Sequence, residues 1–79
     1  MLIISNIKDE GIYNLDYFSK IRVVPLSADD GEIIFSLRMD GHDTSWLVGE
    51  WDNREKADAA LNKIIRANHE GHREVYLDD

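Results

Sequence analysis

Apolar residues recur with a helical period in one stretch of the chain, Asp52 to Gly71. Ala57, Ala60, Leu61, Ile64 and Ile65 fall at i, i+3, i+4, i+7 and i+8, a single stripe of a 3.6-residue helix, while Glu55, Ala59, Asn62 and Arg66 face away. Asp52 stands at the expected N-cap with Glu55 in the capping-box position, Lys63 and Arg66 lie towards the C-terminal half, and Gly71 occupies the C′ position. Burying Leu61, Ile64 and Ile65 would contribute about 1.5–3 kcal/mol each, which makes this face the main expected source of core stability.

The remaining chain reads as strands and turns. A β-branched run predicts a first strand over 2–6, and the polar stretch Asn6 to Gly11 predicts a hairpin loop. Ile12 to Leu15 resumes extended structure, Asp16-Tyr17-Phe18 forms a local turn, and Lys20 to Leu26 is a strand. Pro25, which has no N–H for a ladder, places that strand at an edge or at a bulge. Asp30-Gly31 and Asp40-Gly41 close successive hairpins. Between them Ile33, Phe35, Leu37 and Met39 alternate with Ile34, Ser36 and Arg38, as on a half-buried strand. Over Thr44 to Trp51 the same alternation puts Leu47, Gly49 and Trp51 on one face and Trp46, Val48 and Glu50 on the other. Glu74 to Leu77 returns as a last strand. The expected fold is a single α+β domain over 1–79, two-layered, with an antiparallel sheet of four to five strands and one helix on one face, in the order β-β-β-β-α-β.

Size and charge narrow the classes of function. A 79-residue chain holds one modest core, and without cysteine neither disulfides nor thiolate chemistry can support it. The first residues carry no basic n-region and no apolar run approaches the 18 or so residues of a membrane span, so the expected location is the cytoplasm, with no membrane partner. Nine Lys and Arg against sixteen Asp and Glu give a net charge of −7, which disfavours nucleic acid as a partner.

The apolar N-terminal strand, Ile12-Tyr13-Asn14-Leu15-Asp16, Leu47-Val48-Gly49-Glu50-Trp51 leading into Glu55-Lys56-Ala57, the Leu61-Ile64-Ile65 stripe and the closing Glu74-Val75-Tyr76 together resemble a group of short, largely uncharacterised proteins of Gram-positive bacteria and their phages. The resemblance implies the sheet-then-helix layout and a mobile-element origin. It carries no activity and no site.

Candidate chemistry is sparse. His69 and His72 have H-x-x-H spacing, and a zinc reading would add His42 or an acid as third ligand, but Gly71 between them marks the end of the helix that paired ligands need. Of Asp9, Glu10, Asp29, Asp30, Asp40, Asp43 and Asp52, most precede or flank a glycine or cap a helix, where local backbone bonding explains them. The sequence therefore names no catalytic residue, no metal site and no cofactor. An acidic DNA mimic would need carboxylates in rows, unless the turns at Asp9, Asp29 and Asp40 cluster at one end of the sheet.

The tryptophans say more. Trp46 and Trp51 are five apart, so on a regular strand they face opposite ways, and one helix covers only one face. The expectation is an open face bearing Trp46, Val48, Ile34 and Val24, with Arg38 and Glu50 at its rim and Trp46 as anchor: the surface of a protein-interaction module, a homodimer or an inhibitor/adaptor. A bulge near Gly49, which would bring both indoles to the core side, or partial cover from residues 12–18, is the alternative geometry. The alternative function is a small-ligand, nucleotide-like binder that stacks its base on Trp46 and holds an anion with Arg22 or Arg38.

Overall fold

The long strand whose sequence alternates most regularly sits at the centre of the larger sheet. This strand, β4 (Ile33–Asp40), lies between β3 (Lys20–Ser27) and β5 (Ser45–Trp51), both antiparallel to it. A second sheet places β1 (Leu2–Ile4) between β2 (Ile12–Asn14), antiparallel, and β6 (Glu74–Tyr76), parallel. One helix, α1 (Arg54–His69), packs on β3, β4 and β5 and also on β6. This is a computed structural model, and it describes residues 1–7, 11–27 and 29–77. The expected loop residues Lys8 to Glu10 and the turn residue Ala28 lie outside the described residues.

The α+β class and the single α-helix among the described residues match expectation, while strand number and order do not. Five strands precede the helix, because Ile12–Asn14 pairs with β1 as a strand of its own. The strands form two three-stranded sheets, and β1 with β6 breaks the all-antiparallel pattern. Only a tight hairpin forces neighbours to run antiparallel; β6 arrives from a 16-residue helix and is free to lie parallel to β1. Pro25 falls on β3, an edge strand of its sheet, where a missing N–H breaks no central ladder.

The helix begins one residue later than expected. Asn53, in extended backbone, is the N-cap, and its Oδ1 accepts from Lys56 N at 2.9 Å. Asp52 instead forms an ion pair with Lys56 Nζ at 3.3 Å, and Glu55 loses the capping-box position. At the other end Gly71 adopts φ 77°, His72 N donates to Ala67 O and Gly71 N to Asn68 O, the two bonds of a Schellman cap.

Four helix residues are buried: Ala57, Ala60, Ile64 and Ala67. Leu61 is half-buried, and Ile65, expected in the core, is 55% exposed. The buried positions follow i, i+3, i+7 and i+10, a narrow seam of mostly alanine that brings the helix close to Leu37, Met39 and Val48. Ile65 lies about 100° around the axis from Ile64, beyond that seam.

Strand β5 departs from regular alternation at Val48. Phe35 pairs with Trp51 and Leu37 with Gly49, but Arg38 then pairs with Leu47 and Met39 with Trp46, so Val48 is the extra residue of a β-bulge. Val48 is fully buried in the core. The bulge reverses the faces of the residues before it: Trp46 joins Met39 on the helix side and Leu47 joins Arg38 on the outer side. A glycine is required next to it, since a Cβ on Gly49 would lie 2.5 Å from the Trp51 ring and 3.0 Å from Asn6 Oδ1. Asn6 joins the two sheets there, donating from Nδ2 to Glu50 O (2.8 Å) and accepting from Glu50 N (3.0 Å) as a paired strand would.

Two stability outcomes follow from this packing. Gly49→Ala should lower unfolding free energy by about 1–3 kcal/mol, read from urea midpoints at unchanged m-value. Ile64→Ala should cost about 2–4 kcal/mol while Ile65→Ala stays within about 0.5 kcal/mol; equal losses at the two positions would refute the assignment of the seam.

Candidate functional site

The bulge redistributes the six residues that the sequence placed on one open face. Val24, Ile34, Arg38 and Glu50 do share the outer face of the β3–β4–β5 sheet, judged by their cross-strand pairs. Val48 is not there, being core, and Trp46 is on the opposite side. Leu47 takes an outer position in their place, and Leu26, opposite Ile34, shares that face. That face is largely closed by its own side chains: Ser36 at its centre is fully buried, its hydroxyl donating to Val24 O at 2.9 Å, and Val24, Ile34 and Leu47 are half-buried.

The nucleotide-like arrangement is not assembled. Arg38 and Arg22 project from the outer face, across the sheet from Trp46. Arg22 is further engaged in a fork with Asp40, its Nε 2.7 Å from Oδ2 and Nη2 3.4 Å from Oδ1. The acids do not gather either. The Asp29–Asp30 turn and the turn after Asp40 join β4 to its two neighbours and therefore lie at opposite ends of the sheet. Asp9 lies outside the described residues. His72 Nε2 stands 3.1 Å from Glu70 Oε2, beyond the helix end. Among the described residues no three His, Cys, Asp or Glu side chains form a metal-holding group, and no helix is long and apolar enough to cross a membrane.

What surrounds Trp46 is an aromatic cleft. An open hollow of about 320 Å³ is lined by Ile12, Tyr13, Asn14, Tyr17, Phe18 and Trp46, so four of the chain's seven aromatic side chains meet in one place. Tyr13 and Trp46 stack obliquely, with centroids 6.3 Å apart and planes at 49°. The indole Nε1 donates to Thr44 Oγ1 at 3.0 Å, which sets the ring's orientation. The 3-10 turn Leu15–Tyr17, opened by Asn14 Oδ1 accepting from Asp16 N at 3.0 Å, swings Tyr17 and Phe18 towards the indole. Ile12, Tyr17 and Trp46 are 63%, 79% and 48% exposed, the first two being the largest exposures of any large apolar side chain among the described residues.

Sequence reasoning identified Trp46 and offered residues 12–18 only as an alternative partial cover for it, without singling out their rings as a site. The available signal was the aromatic density of Ile12 to Phe18, three rings in seven residues. A second, larger groove of about 570 Å³ runs between α1 and β6, floored by Ala67 and Val75. Lys63 spans it, donating to Tyr76 O at 2.6 Å, and its charged lining is mixed, with Arg66 and His72 beside Glu70 and Glu74.

No protein family, curated protein or solved structure matches the chain.

One titration marks the hairpin that presents Trp46. The Arg22 guanidinium, hydrogen-bonded to Asp40, holds that carboxyl below the usual aspartate range, with Ser45 assisting. Between this depressed value and the unfolded-chain value of about 3.9, the unfolded state binds more protons. The contribution is therefore complete above that range and is lost as pH falls through it. Acid unfolding followed by Trp fluorescence should show a shallower pH dependence below about pH 4 in Asp40→Asn than in the wild type.

Proposed function

We propose that this chain is a small protein-interaction module whose working surface is the aromatic cleft around Trp46. The supporting observation is the convergence of Tyr13, Tyr17, Phe18 and Trp46 on one open hollow while Ile12, Tyr17 and Trp46 stay exposed. Exposed aromatics are expensive to leave in water, and interface anchors are drawn from Trp and Tyr. The Trp46 ring is pinned by Thr44 and by Tyr13, so little side-chain entropy remains to be lost on docking. The hollow is shallow and open, a shape that accepts a protruding or extended segment of another protein better than it encloses a small molecule. The outer sheet face is the weaker surface, because its apolar residues already cover one another.

The reading is tested by selecting from a random peptide library on the immobilised protein. The wild type should enrich a coherent class of peptides, and Trp46→Ala and Tyr17→Ala should each lose it. Enrichment that survives both substitutions, or a selection that yields no class, would refute the cleft as the working surface.

A further inference from the structure

The residues that line the cleft come from two stretches, Ile12–Phe18 and the β4–β5 turn with Trp46, and these hold no Lys or Arg; Asp16, the acid of the first stretch, lies 3.6 Å from the N-terminal ammonium. Both stretches belong to a chain of net charge −7. A cluster of aromatic faces in a field of that sign is suited to a cation: ring quadrupoles attract Arg or Lys directly, and the net negative charge of the chain favours the approach of positive groups. The backbone adds a direction. Ile12, Tyr13 and Asn14 are consecutive on β2 and their side chains alternate between faces, so a hollow lined by all three runs along the edge of that strand. β2 is the terminal strand of its sheet. Because Leu15 N donates to Met1 O, the alternation of an antiparallel ladder turns the Ile12 N–H and C=O away from β1.

Resting on the proposed interaction role, we infer that the occupant of the cleft is an extended basic segment of a partner protein. It lies along the β2 edge and stacks an arginine or lysine on Trp46 and Tyr17. Strand addition supplies sequence-independent hydrogen bonds, and the cation over the rings supplies selectivity. A second copy of the chain is a poor occupant, since both surfaces would bring negative charge.

Three acetylated decapeptides test this, one alternating proline with arginine, one with citrulline in place of arginine, and one with glutamate. Each is titrated into the wild type while the Trp46 indole N–H resonance is followed by NMR. The arginine peptide should shift that resonance and bind about tenfold more tightly than the citrulline peptide, with the advantage shrinking as salt is raised. The glutamate peptide should leave it unmoved. Tyr17→Ala, at a position exposed enough to keep the fold intact, should weaken the arginine peptide at least several-fold. Equal binding of arginine and citrulline peptides at Trp46 would overturn the charge assignment while leaving the interaction reading in place. Failure of the arginine peptide to shift Trp46 would overturn this inference alone, the library selection deciding the broader reading independently.

Discussion

The contact on which the rest of the molecule depends is the Trp51 indole lying across Gly49, beside the amide of Asn6. A regular β5 would have presented Trp46, Val48 and Glu50 to one face and Leu47, Gly49 and Trp51 to the other. With Val48 bulged, the strand instead delivers Val48 and Trp51 to the core and lets Trp46 emerge on that same side at the sheet's end. The glycine gives the ring a place to lie, and the ring covers backbone that glycine leaves bare. Asn6 then seals the edge of β5 with two hydrogen bonds to Glu50, so the second sheet is joined to the first where the strand is irregular. Core packing, sheet junction and the position of the exposed indole are thus consequences of one local insertion.

The helix shows the complementary constraint. Its buried seam is three alanines and one isoleucine, which contribute little apolar area each but allow a close approach. The larger share of the core comes from the sheets, through Ile3, Leu37, Met39, Val48, Val75 and Leu77. Leu61 and Ile65 flank the seam, and the second of these remains in water.

Much of the fold was legible where the signal is local. The alternation of β4, the Asp-Gly hairpins, the edge position of Pro25 and the Gly71 cap each rest on a few neighbouring residues whose chemistry admits one arrangement. The misreadings have a common physical origin in choices that are degenerate locally. Asp52 and Asn53 are both good caps, and Ile64 and Ile65 both fit a helical stripe; tertiary packing decides between them. A three-residue strand such as β2 is too short for a period to show, and a parallel pairing across seventy residues leaves no local trace at all. A bulge shifts parity without altering composition, which is why the leading reading put Trp46 on the wrong side and only the alternative of a bulge near Gly49 put it on the observed one. Its aromatic neighbours came from the segment whose register was not readable.

The parallel pairing of β1 with β6 has a consequence for the order of assembly. On a growing chain the first strand has only β2 beside it, and an isolated two-stranded hairpin is marginal in water. Its other flank, and the burial of Ile3 against Val75 and Leu77, must wait until Glu74–Tyr76 has been made. Strand β6 therefore acts as a latch: β1 gains its second neighbour only after Glu74–Tyr76 has emerged, and a chain cut short at the helix's glycine cap would lack the strand that closes the smaller sheet.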